Sequence, residues 1–417
     1  MPQDAAPVSA PRSDAELIEG ARVVLDDRVE CVSVRIEAGR ITGLDVARDG
    51  ARRQPARGLL LAPAFVDVHG DAFERQLMPR PGVAIPTDTA LLETDRHLAA
   101  NGIATAYHAL TLSWEPGLRS LEMARQVVER LAALNPRLSA ENRLQLRWET
   151  FCPEAEPLIL QALQGADLPA LAFNDHVSMA VLPPGLRVQD RPFDHAPDYP
   201  VVDFASPAFR DRQTEKAVRA GLSPADYAAE LARRWAGRPQ VQGTIARIAA
   251  AARAKAAPML SHDDSRAETR AFYRGLGARI AEFPMTVEAA LAARDGGDMI
   301  VLGAPNAMRG GSHLGSMGAA DLIARGLCDV LASDYYYPAM LGAVARLHRD
   351  GAAPLAALWQ MVAATPARAM GLADRGRIAP GLRADLVLVD WPDQGTPAPL
   401  RTWICGRGGS CALPSFA

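Results

Sequence analysis

Cysteine is scarce and unpaired in this chain. Cys31, Cys152, Cys328, Cys405 and Cys411 are scattered with no Cys-x-x-Cys among them, which argues against a zinc ribbon or a disulfide framework and fits a reducing compartment. No apolar run is long enough to span a bilayer. Met1 to Asp14 is polar and rich in proline and alanine, with no basic stretch ahead of an apolar one. It reads as a frayed tail and not a signal peptide, so a soluble, cytoplasmic protein with no membrane partner is expected. An excess of charge of one sign is also missing. A formal net charge of −3 offers no global basic field, which argues against nucleic acid but leaves room for a small anionic substrate held by a local arginine cluster. There is no Gly-x-x-x-x-Gly-Lys-Ser/Thr phosphate loop and no solenoid-type repeat.

What is present is a large apolar fraction. With 417 residues, 49% of them hydrophobic, the chain can bury a sizeable core and form more than one domain. An apolar run from Leu61 ends abruptly in His69-Gly70-Asp71. Further strand-like runs follow at Gly102 to Leu110, Leu144 to Phe151, Ala170 to His176, Ala257 to His262, Arg279 to Phe283, Met299 to Gly303 and Cys328 to Asp334. Amphipathic stretches separate them, one with a capped start at Ser223-Pro224. Eight such units predict a (β/α)8 barrel over residues 62–376. Short alternating runs before and after it, such as Cys31 to Ile36 and Ala384 to Asp390, cannot make a stable sheet alone. Residues 1–61 and 377–417 are therefore expected to pair into one small β-sandwich domain.

The residues that end those strands carry the chemistry. His69 and Asp71 follow the first, and Glu149, His176, His262 and Asp334 fall at the ends of later ones. Singly, each reads as a capped loop or a buried hydrogen bond. Together they would meet at one barrel rim, where neutral imidazoles and carboxylates suit one or two divalent ions, zinc first, with iron or manganese as alternatives. Such an ion acidifies water, and Asp334 is placed to take the remaining proton. Arg309, ahead of Gly310-Gly311-Ser312-His313, offers a guanidinium beside a flexible backbone for a phosphate, and Arg75 and Arg80 lie beyond the first strand. Of the other histidines, His97, His195 and His348 are expected to be solvated and His108 to lie in the core or behind the site.

The flanked barrel, the His-bearing first strand and the Asp-terminated last one resemble the amidohydrolase superfamily. More narrowly, His69-Gly70-Asp71, Met78-Pro79-Arg80-Pro81-Gly82-Val83, Ser261-His262-Asp263-Asp264, Gly303-Ala304-Pro305-Asn306, Arg309 to His313 and Ser333-Asp334-Tyr335-Tyr336 resemble the α-D-ribose 1-methylphosphonate 5-triphosphate diphosphatases of phosphonate catabolism. The resemblance extends to Arg383-Ala384-Asp385-Leu386-Val387-Leu388. It implies that His69, Asp71, Glu149, His176 and His262 surround the metal, with Glu149 able to bridge two ions. It also implies that Asp334 is both ligand and proton acceptor, and that Asp334 and His262 are catalytic. Arg309, Ser312, His313, Arg80 and Arg75 would bind substrate. The chain departs from this subgroup after His176, where a short Pro-Gly-Gln-Arg-Gln loop is replaced by a Pro/Asp-rich excursion to about Ala208. Hydrolysis of a C–N bond in a cyclic amide or nucleobase is therefore the alternative reaction, and a homodimer is compatible with the sequence.

Overall fold

The computed structural model describes residues 15–310 and 319–405. The tail Met1–Asp14 and the pair Ser312 and His313 lie outside the described residues. Eight parallel strands form one sheet in chain order: β1 (Phe65–Gly70), β2 (Ile103–Leu112), β3 (Glu141–Glu149), β4 (Ala170–Asn174), β5 (Met259–His262), β6 (Ile280–Glu282), β7 (Met299–Gly303) and β8 (Val330–Ala332). A parallel bridge between Gly70 and Asp334 joins the last strand to the first. This is the expected barrel. Its interior is filled by Val68, Tyr107, Ala172, Leu260, Ile280, Val301 and Val330, which form one buried cluster.

Side chains two apart on a strand share a face. Leu260 therefore places His262 on the inner face at the mouth, Ile280 places Glu282 there, and Val330 and Ala332 lead to Asp334. The first strand departs from simple alternation. Asp67 pairs with Ala106 and Gly70 with His108, three steps against two, so β1 carries a bulge. The extra residue allows Val68 and His69 both to face inward, as bulges at barrel rims do.

The apolar run from Leu61 is two strands, not one. Leu60–Pro63 pairs with Leu386–Val389 and with Arg22–Val23 in a separate sheet, and β1 begins only at Phe65. Pro63 has no N–H to donate, and the chain changes sheets there. That five-stranded sheet runs Ala398–Trp403, Leu386–Asp390, Leu60–Pro63, Arg22–Val24, Val29–Cys31. A four-stranded sheet of Glu16–Glu19, Val34–Glu37, Arg40–Leu44 and Arg52–Pro55 stands against it, and Ile18, Ile36, Leu61, Leu386 and Trp403 make one core between the two. Glu141 at the start of β3 ties the chain end to the barrel, accepting from Arg375 and Arg383, each at 2.6 Å. No helix among the described residues is long and apolar enough to cross a membrane.

Candidate metal centre and active site

The seam between β8 and β1 builds the mouth. Asp334 donates its N–H to the His69 carbonyl at 2.9 Å, and Asp71 donates to the Asp334 carbonyl at 3.0 Å. One turn below, the buried Asp67 carboxylate accepts from the Ser333 N–H at 2.9 Å and from its hydroxyl at 2.5 Å. Gly70 is required by this crossing, because a Cβ there would stand 2.7 Å from Asp67 Oδ2 and 3.0 Å from Ser333 Oγ. Asp334 itself has φ of +55°. That left-handed backbone is tolerated by aspartate and asparagine better than by most residues.

Two groups of ligand-type side chains converge on His69. His69, His262 and Glu282 form one, and His69, Asp71 and Asp334 the other; within each group the ligand atoms lie within 4.8 Å of one another. Glu282 is fully buried between the two imidazoles, 2.8 Å from His262 Nδ1 and 3.0 Å from His69 Nδ1, with Gln145 Nε2 donating to it at 2.7 Å. The contact with His69 lacks hydrogen-bond geometry and leaves Nδ1 without a partner. A buried ring nitrogen and a carboxylate oxygen in contact outside hydrogen-bond geometry is an arrangement that a shared cation satisfies. The donor set, two imidazoles and three carboxylates, fits a divalent ion.

The electrostatics match this crowding. Burial works against protonation of His69, yet the Glu282 carboxylate outweighs it and lifts the imidazole to about 9. Burial holds His262 below its ordinary range. Burial raises Asp334 to about 6, with Asp71 adding to the rise and His69 opposing it. Arg147 offsets the gathered carboxylates, its guanidinium lying 3.6 Å from Asp71 Oδ2 and 3.1 Å from His262 Nε2.

Glu149 and His176 form a separate pair. His176 donates its N–H to Glu149 Oε2 at 3.2 Å, and its Nδ1 meets Oε1 at 2.5 Å. Burial would raise Glu149, but the neighbouring imidazole holds it down at about 2. His176 opens a short helix capped by Asp175, and its ring centroid is 6.4 Å from that of His262. Asp263 stands between the two histidines, 3.5 Å from His262 Nε2 and 4.0 Å from His176 Nε2. The proposed substrate arginines lie further out. Arg75 is exposed over the Tyr335 ring at 5.8 Å, and Arg80 and Arg309 are exposed.

Sequence reasoning missed Glu282, Arg147 and Asp263. The first had a signal, two residues on from the apolar Ile280. His195 is a correction, since it is buried against Phe193 and Phe272 and not solvated; burial lowers it to about 4. His97 and His348 are exposed, and His108 is a core residue bonded to Asn142 at 2.7 Å.

Known proteins share the sequence and the fold. The amidohydrolase family pattern matches residues 248–408. Over 389 residues, 90% of this chain and 96% of the relative, the sequence is 32% identical to the α-D-ribose 1-methylphosphonate 5-triphosphate diphosphatase of Escherichia coli (strain K12). The chain belongs to the amidohydrolase family. Solved amidohydrolase-type structures agree in fold. A β-aspartyl dipeptidase from Fervidobacterium islandicum AW-1 superposes with a TM-score of 0.59 at 15% identity, covering 97% of this chain and all of that one. An adenosine deaminase from Xanthomonas campestris with bound zinc gives 0.57 at 15% identity, covering 94% and 92%. The family resemblance carried by the strand-end motifs is thus upheld, and the chain is an amidohydrolase-family hydrolase.

Proposed function

We propose that the protein hydrolyses α-D-ribose 1-methylphosphonate 5-triphosphate to the 5-phosphate and pyrophosphate. The supporting observation is the 32% identity to the Escherichia coli diphosphatase across 90% of the chain. The ion would be held by His69 with Asp71 and Asp334 on one side and His262 and Glu282 on the other. When bound, a divalent cation supplies Lewis acidity and lowers the pKa of water from 15.7 to about 7.

The chain's own groups do the rest. Asp334 accepts the proton of the attacking water, whose oxygen bonds to phosphorus as the bridge between the first and second phosphoryl groups breaks and pyrophosphate departs. Glu282 and Gln145 fix the histidine rings from below. Arg147 keeps the carboxylates of the mouth from repelling an anionic substrate outright.

Phosphorus NMR of a ribosyl 5-triphosphate substrate should show pyrophosphate appearing, beside an inactive panel of cyclic amides and nucleobases. Turnover confined to that panel would replace this reading with the C–N hydrolase. A second expected result concerns the ion. Dialysis against a strong chelator should abolish turnover together with the metal content read by elemental analysis, and zinc or manganese should restore both. Full turnover by protein shown to be metal-free would overturn the metal-dependent mechanism.

A further inference from the structure

A cavity of about 220 Å³ opens beside the Glu149–His176 pair, walled by β2, β3 and the excursion that follows His176. Three cationic side chains line it: Arg119, Lys216 and Arg219. Two of them already have carboxylate neighbours. Arg119 grips Glu74 with two contacts, at 3.0 and 2.9 Å. Arg219 is exposed and lies 3.9 Å from Glu115, which also accepts from the Tyr227 hydroxyl.

Lys216 differs. It sits on the helix Thr214–Arg219, half-buried, and among the described residues its ammonium has no hydrogen bond or ion pair. A half-buried ammonium facing a cavity with no partner of its own is one that an anion entering the cavity would complete. Burial holds its pKa below the ordinary lysine range, with Glu115 opposing. The choice of residue is informative, because Lys216 and Lys255 are the only lysines among 45 basic residues. A compact ammonium fits a narrow cavity where a planar guanidinium needs a matched fork.

We propose that this cavity receives the phosphate chain of the substrate, with Lys216 as the specificity-determining contact that meets its charge next to the Glu149–His176 pair. The inference rests on the diphosphatase reading for the identity of its ligand. It gives the excursion a role: Val177 and Ala180, at its start, wall the cavity, and the helix Thr214–Arg219 that follows the excursion supplies Lys216 and Arg219. Arg309, Arg75 and Arg80 do not line this cavity.

The test uses the full chain with isotope-labelled lysine, which yields only two side-chain signals. Inorganic triphosphate should shift the Lys216 signal saturably and leave that of the exposed Lys255 in place. Calorimetry should show triphosphate binding weakened about ten- to hundredfold by Lys216→Gln, the effect of one charge-assisted contact. Lys216→Arg, which keeps the charge but not the compact shape, should recover only part of the loss, and Lys255→Gln should change nothing. A Lys216 signal indifferent to saturating triphosphate, or Lys216→Gln protein that binds like the parent, overturns the proposal. The two readings separate cleanly. Inorganic triphosphate that engages Lys216 while the ribosyl 5-triphosphate is left uncleaved upholds this site and removes the diphosphatase, whereas cleavage of the ribosyl 5-triphosphate with Lys216 silent does the reverse.

Discussion

Asp334→Asn should lower turnover by about 10²- to 10⁴-fold, the usual contribution of a positioned proton acceptor. The substitution isolates that role. Asparagine has the same size and is among the few residues that tolerate the left-handed backbone Asp334 adopts, with φ of +55°. The two backbone bonds of Asp334, to His69 and from Asp71, do not involve its side chain and should persist. What disappears is a carboxylate that burial has raised to about 6, close to the pH at which it must exchange protons. Thermal unfolding should be nearly unchanged, and elemental analysis should separate loss of the proton acceptor from loss of the ion. A variant that keeps its metal and more than a tenth of parental turnover would remove Asp334 from the mechanism.

The second large effect is on stability. Arg270→Ala should destabilise the fold by about 3–5 kcal/mol, the penalty for stripping one partner from a buried ion pair. Arg270 is fully buried on the helix Ala267–Gly275 between β5 and β6. It reaches Asp264 and the Ile280 carbonyl, each at 3.3 Å, and also bonds Ser261 and the Ala278 carbonyl. Asp298, 3.2 Å away, would keep Arg274 at 2.7 Å and Arg279 at 3.0 Å. Among the described residues, the Asp264 carboxylate would keep the Ser261 hydroxyl as its hydrogen-bond partner, with Arg191 acting only from a distance. Adding Asp264→Asn to Arg270→Ala should therefore recover part of the loss. Urea unfolding of the single and double variants decides it, and a single variant within 1 kcal/mol of the parent, against the range expected from such pairs, would show that water or a rearranged partner reaches Asp264.

Much of this was legible because period and punctuation are local. The eight runs expected in the barrel each contributed a strand to it, and His69, Asp71, His262 and Asp334 gather at its mouth, while Glu149 and His176, expected in the same cluster, pair with each other beside it. The rest depends on contacts between distant residues. The bulge in β1 is set by its pairing with β2, and no residue within β1 announces it. Glu282 was overlooked although it lies two residues from Ile280, because a carboxylate between alanine and phenylalanine resembles an ordinary strand end. His195 was expected in solvent because the excursion around it looks like a loop, while in the fold it packs on Phe272 of a helix nearly eighty residues later. Lys216 carries no local signal. Its meaning comes from the cavity that the excursion and β3 enclose together.

The seam between β8 and β1 is also the last part of the candidate site to be made. Asp67 and Ser333, and His69 and Asp334, are joined across it, and these residues come from the first and last strands of the barrel. During synthesis, His69, Asp71, Glu149, His176, His262 and Glu282 all emerge before the residue that completes the mouth. A nascent or truncated chain ending before Ser333 therefore lacks the Asp334 side of the mouth and the strand that closes the ring. On the reading proposed above, closure of the ring completes the mouth, and a chain that stops short of β8 is expected to be inactive until that strand is made.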